Sequence, residues 1–216
     1  MNAITAARSP AGFWKRYVAY FIDVVLVYIA LELLARLLFA GQEAGELDQL
    51  RTLTTSLQNQ QMSTEEATAL LARMTTSLAG LLAFSSIAYV VIAGAYFALL
   101  ESSAWQATFG KRLLGIKVVD ADGKRIGIGR ALGRFFAAGL SWLSLNIGHA
   151  MAAWTPERRA MHDYIADTRV ENTDPARPQM PLWGWLIVGA HALVLVLGIL
   201  GFMLAAAMAL KAASQV

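Results

Sequence analysis

The residue whose chemistry stands out first is an aspartate inside an apolar run. Asp23 sits within YVAYFIDVVLVYIALELLARLLF. An ionised carboxylate at that depth in lipid costs roughly 2.5–3.5 kcal/mol on insertion scales, so the side chain must face the protein interior and find a partner there. Two readings stand: a cation or proton site, or a structural ion pair or helix–helix hydrogen bond. Arg16 lies about 10 Å nearer the start of the same helix and on nearly the same face. It either tunes the charge state of Asp23 or snorkels to lipid headgroups. Glu32 and Arg36 form an i, i+4 pair near the far end of the run; that spacing neutralises both charges and reads as structural. His162-Asp163 follow Arg158 and Arg159 on an expected short helix. There Asp163 either docks against Arg16 or the mouth of the Asp23 site, or simply fixes an interfacial loop. One histidine and one aspartate are too few for a metal site, and His149 and His191 read as packed residues in apolar stretches.

Other chemistry lacks its parts. The chain has no cysteine, which excludes disulfides, thiolate catalysis and cysteine-based zinc sites. Gly110-Lys111 is no phosphate loop, because Trp105 stands where GxxxxGK needs its first glycine and Arg112 replaces the Ser/Thr. Ser102 and Ser103 have no His/Asp context for nucleophilic attack. The expectation is a chain that is not an enzyme and uses neither cofactor nor metal.

The elements that must position these residues are membrane spans. Of 216 residues, 57% are hydrophobic and 15% charged, with a mean hydropathy of +0.50; a soluble domain is nearer a quarter charged. The first span is expected over roughly Phe13 to Ala40, with Trp14, Tyr17 and Tyr20 as an aromatic belt and Arg8, Lys15 and Arg16 marking a cytoplasmic start. The run is too long for a signal-peptide core, so the N-terminus is expected to stay attached. Residues 41–77 are polar and acidic, with Leu47, Leu50, Leu53 and Leu57 at helical spacing, and read as an extracytoplasmic insert. Ser63 and Glu66 form a capping box for the next helix. The second span is expected over Thr76 to Leu100, rich in small residues that let backbones approach closely in lipid.

Residues 101–130 form a strongly basic loop, expected to be cytoplasmic. Within it, Ile116–Val119, the turn residues Asp120, Asp122 and Gly123, and then Ile126 and Ile128 predict a β-hairpin. Residues 131–154 are long enough to cross, but Asn146-Ile147-Gly148 divides them. Arg158, Arg159, Arg169 and Arg177 put the following loop on the same side as 101–130, which favours a re-entrant or interfacial hairpin over a fourth crossing. Thr168-Arg169-Val170 reads as a strand able to join the hairpin. The last span is expected over Trp183 to Leu210, after the breakers Pro178 and Pro181. The predicted fold class is an all-α integral membrane protein: three full transmembrane helices, one re-entrant or interfacial helical hairpin, and a short cytoplasmic β-hairpin. The basic balance, with a net charge of +3, points to anionic lipid headgroups and not to nucleic acid, because the cations cluster beside the spans.

These residues resemble the RDD family of bacterial membrane proteins, named for an arginine at the start of the first helix, an aspartate within it and a later aspartate. Phe13-Trp14-Lys15-Arg16 is similar to the arginine motif, Phe21-Ile22-Asp23 to the first aspartate, and Arg159-Ala160-Met161-His162-Asp163 to the second. Thr108-Phe109-Gly110-Lys111-Arg112 with Gly115-Ile116-Lys117-Val118-Val119 is similar to the family's TxGKxxxGxxVV stretch. The resemblance covers roughly residues 10–172; the domain is expected over 1–172, with 173–216 a linker and added helix. It implies a multi-pass protein of the bacterial inner membrane, a suspected transport function, and sodium/proton antiport as the activity linked to a few members. On that reading Arg16, Asp23 and Asp163 form a functional triad, supported by His162, Arg159, Thr108, Gly110, Lys111 and Arg112. A small cation or proton is the expected cargo and a homo-oligomer the expected assembly. The alternative is a non-transporting scaffold that docks partners through the basic hairpin, with the same triad holding the bundle together.

Overall fold

The computed structural model describes residues 9–39, 51, 54–55 and 63–213. Arg8 and the leucine stripe at 47–57 therefore lie outside the described residues. Among the described residues, three helices are long and apolar enough to cross a membrane: α1 (Phe13–Leu38), α2 (Thr64–Ser102) and α7 (Leu182–Ala213). Between α2 and α7 come α3 (Phe109–Leu113), β1 (Ile116–Asp120), α4 (Ile128–Leu143), α5 (Ile147–Ala150), a 3₁₀ turn (Met151–Ala153), α6 (Met161–Ile165) and β2 (Thr168–Asn172). The chain divides into two compact units, one of residues 1–23 with 100–216 and one of residues 24–99.

In the second unit, α2 begins at its capping box. The Ser63 amide donates to Glu66 Oε2 at 2.9 Å and the Glu66 amide to Ser63 Oγ at 3.2 Å. The helix starts well before the expected Thr76 because TEEATALLARM is made of strong helix formers. Loss of apolarity marks where lipid burial ends, not where the helix ends. Glu32 and Arg36 pair at 2.9 Å as expected. Phe39 at the end of α1 meets Phe84 of α2 with ring centroids 5.4 Å apart.

In the first unit, the sheet differs from the expected hairpin. β1 does pair antiparallel, but with β2, in the register Ile116↔Asn172, Val118↔Val170 and Asp120↔Thr168. The turn at Asp120 forms: its Oδ1 accepts from the amides of Asp122 and Lys124, and Gly123 takes φ +84°. Beyond it, Ile126 drops into the core and Ile128 opens α4, so residues 126–128 are claimed by a helix start. β2 supplies the alternation that 126–128 lacks, burying Thr168, Val170 and Asn172. On its other edge β2 holds the chain just before α1: Ala11 donates to the Val170 carbonyl at 2.9 Å, and Asn172 to Ser9 at 2.8 Å. This fastens the start of α1 beside the segment that follows α6.

α4 is inverted relative to a helix on a water-soluble protein. Its inward stripe is Ala131, Arg134, Ala137 and Ser141, whereas Phe136, Leu140, Trp142 and Leu143 face outward. That arrangement suits a helix with lipid outside and a polar network inside. At 16 residues it reaches about 24 Å, short of a hydrocarbon core of about 30 Å. It ends where Leu145 and Asn146 take left-handed φ of 51° and 64°, and the Asn146 amide returns to the Ser141 carbonyl at 2.7 Å. The expected break at Asn146 is thus a reversal. α7 rests its first turns on those of α1, through Trp14–Trp185 and Phe21–His191 with centroids 6.1 and 4.3 Å apart.

Candidate functional site

The site is built from two polar clusters joined by α3. In the first, Asp23 is completely buried. Its Oδ2 accepts from the Thr108 hydroxyl at 2.5 Å and its Oδ1 from the Gly110 amide at 2.7 Å. Thr108 is the N-cap of α3 and also receives the Lys111 amide at 3.4 Å. Gly110 is required by contact: a Cβ there would run into the Ala19 carbonyl and come within 2.9 Å of Asp23 Oδ1. The TFGKR stretch is therefore a cradle for the carboxylate of α1, to which it brings the Thr108 hydroxyl and the Gly110 amide.

The second cluster is an alternating chain of charges. Arg16 Nη1 meets Asp163 Oδ2 at 2.5 Å, Arg134 binds Asp163 Oδ1, Arg134 Nε meets Glu101 Oε2 at 3.0 Å, and Lys111 Nζ meets Glu101 Oε1 at 2.6 Å. Three cations thus bracket two carboxylates. The sheet sets one end: the tie between residues 9–11 and β2 presents Arg16 to α6, and Arg16 also donates to the carbonyls of Ala11 and Val170. Asp163, three residues past Ala160, accepts the Ala160 amide at 3.0 Å and so caps α6 while binding both arginines. Thr168 fills the remaining space, receiving Arg134 at 3.0 Å. Asp163 and Glu101 are 0% and 3% exposed, so the pairs are well desolvated and removing one member leaves an uncompensated charge.

Burial alone would raise the pKa of Asp163. Arg134 and Arg16 outweigh it and hold the carboxyl well below its ordinary value, so it is ionised throughout the physiological range. His162 goes the other way. Burial first, then the nearby Arg134, press its pKa well below the ordinary value, and the ring is neutral. His149 is lowered by burial and Arg134 too, and the two rings lie 5.1 Å apart. Among the described residues, no partner reaches Nδ1 of either histidine or Oγ of Ser141.

The structure brings Arg16 and Asp163 together as expected. The guanidinium of Arg16 donates to Asp163 and to two carbonyls, while Asp23 accepts from Thr108 and Gly110. Lys111 joins the charged chain. Arg112 leaves it and lies over the Trp105 ring at 4.1 Å. Arg159 braces α6 from outside, donating to the Asp163 carbonyl at 2.9 Å and Asp167 at 3.2 Å. The hub, Arg134, is absent from the sequence-based set, as is Glu101. The signal for Arg134 was present: a lone cation in ALGRFFAAGL obeys the same reasoning that singled out Asp23.

Residues 10–167 match the RDD family model. A relative in Bacillus subtilis (strain 168), the uncharacterized protein YxaI, is 38% identical over 167 residues, covering 74% of this chain and 96% of the relative. No solved structure matches.

Proposed function

The chain belongs to the RDD family, and from that premise we propose that it moves a small cation or proton across the bacterial inner membrane, with its N-terminus in the cytoplasm and Asp23 as the exchanging group. The observation that carries this reading is the different company of the two aspartates. Asp163 is clamped by two guanidinium groups, an amide and a hydroxyl, all of which donate. The two cations hold that carboxyl in its ionised form. Asp23 leans on the Thr108 hydroxyl at 2.5 Å, and a hydroxyl can donate to a carboxylate or, after rotation, accept from a carboxylic acid. The cradle therefore accommodates both protonation states without moving a heavy atom. Asp163 and Arg134 then act as the fixed brace against which α1 and α3 are held. One small bundle is thin for alternating access, so a homo-oligomer is part of this reading.

The test is flux into proteoliposomes under an imposed sodium or proton gradient. Transport by the native chain that disappears in Asp23→Asn supports the assignment; transport at the native rate in Asp23→Asn removes Asp23 from the mechanism. A second reading draws on the saturation of the charged chain from Arg16 to Lys111, which is the arrangement expected of a rigid scaffold. The exposed tip at 121–125, with Lys124 and Arg125, would then be the docking surface. Its signature is a co-purifying protein that is lost when the tip is replaced, in a chain that shows no flux.

A further inference from the structure

Beside the Arg16 end of the charged chain, a cleft of about 310 Å³ opens where α1 and α7 begin. Gly12, Trp14, Lys15, Arg158, Met180 and Trp185 are among its lining residues, and none of the lining is acidic. Its two cations lack carboxylate partners among the described residues. Lys15 is 5% exposed, and its ammonium donates to neutral oxygens, Asn172 Oδ1 at 2.8 Å and the Arg177 carbonyl at 3.4 Å. Arg158 is exposed and held at a left-handed φ of 52°. Its Nη1 would lie 3.2 Å from a Cβ at position 12, so Gly12 leaves the guanidinium room beside the start of α1. In the same lining, Trp14 and Trp185 stand with ring centroids 6.1 Å apart. Tryptophan at the head of an apolar span marks the headgroup level. Beyond it α7 presents exposed apolar side chains such as Leu186 and Leu193.

We propose that this cleft binds the phosphodiester headgroup of an anionic glycerophospholipid. Arg158 and Lys15 supply the countercharge, the tryptophans flank the glycerol region, and the acyl chains lie along the apolar surface of α7. Basic pockets between spans are suited to such headgroups, and a cation without a carboxylate in a partly dry cleft gains most from an anion delivered there. The inference does not rest on the transport reading, since a scaffold would carry the same site.

Native mass spectrometry of the full chain in detergent tests it, with phosphatidylglycerol, phosphatidylcholine and inorganic phosphate added separately. The expected result is one saturable phosphatidylglycerol per chain, preferred over phosphatidylcholine about five- to tenfold. Arg158→Gln should lose that preference and Arg158→Lys should keep most of it. Arg125→Gln, which removes an exposed cation elsewhere, should leave it unchanged. Equal binding of the two lipids overturns the proposal, as does an equal loss in Arg125→Gln. So does inorganic phosphate binding as tightly as phosphatidylglycerol, which would make the cleft a free-anion site.

Discussion

Asp23 and Asp163 are both fully buried carboxylates, yet disturbing the two clusters should affect stability to different degrees. In Asp23→Asn the new side chain can still accept from Gly110, and its amide can donate to Thr108 Oγ1 in place of the lost acceptance. The melting temperature in detergent should therefore change little. In Arg134→Gln the charged chain loses its centre, and Asp163 and Glu101 lose their shared cation. Breaking a buried pair in this way costs roughly 3–5 kcal/mol, so the melting temperature should fall sharply, with Arg134→Lys intermediate because lysine lacks the planar fork. The pH response follows from the shifted groups. His162 has a folded pKa below its ordinary 6.5, so its contribution is complete above that value and lost as the pH falls through it toward the folded pKa. Asp163 is depressed below 3.8, so its contribution is present above 3.8 and lost only in stronger acid. The windows are separate and have the same sign. Melting temperature should fall as the pH goes from about 7 to 5, and His162→Gln should flatten that decline while leaving the one below about pH 4. The flattening is partial, because His149 titrates in the same window. The sequence made Asp23, Arg16 and Asp163 legible because a charge in or beside an apolar span is costly and conspicuous. Arg134 is hidden because its segment is long and apolar enough to resemble a crossing, whereas it forms a helix with its polar stripe turned inward.

Among the elements, α3 is one of the shortest and the most constrained. It is a five-residue helix that supplies Gly110 to Asp23 and Lys111 to Glu101, so it ties the aspartate cradle to the charged chain. Gly110→Ala would push a methyl group against α1 and should greatly lower the yield of folded protein. Gly133→Ala in α4, where nothing lies within 4 Å, should be neutral or slightly stabilising, since alanine is favoured over glycine in a helix by about 1 kcal/mol. Thermal melts of both variants in one detergent check the contrast. The long helices, the capping box at Ser63 and the break at Asn146 could be read from local patterns. The sheet was legible in part: Thr168-Arg169-Val170 reads as a strand able to join Ile116–Val119, and does so, but that it takes the place of 126–128 beside β1 depends on where α4 begins. Sequence spacing alone carries no information on that competition.

For the whole molecule, the proposed topology of three spans, with a reversal between α4 and α5, predicts that the two ends of the chain lie on opposite sides of the membrane. Single cysteines in this cysteine-free chain report it directly. Asp122→Cys and Glu157→Cys should label from the same side of sealed vesicles, and Ala213→Cys from the other; labelling of Glu157→Cys from the side opposite Asp122→Cys would instead show a fourth crossing at 131–154. The division of labour between the aspartates is the central claim, and flux per folded molecule in proteoliposomes tests it most directly. The native chain and Asp163→Asn, once normalised for the folded fraction, should both exchange cation or proton, while Asp23→Asn should be well folded and silent. An Asp23→Asn protein that exchanges at the native rate, beside a well-folded Asp163→Asn that does not, would contradict the account.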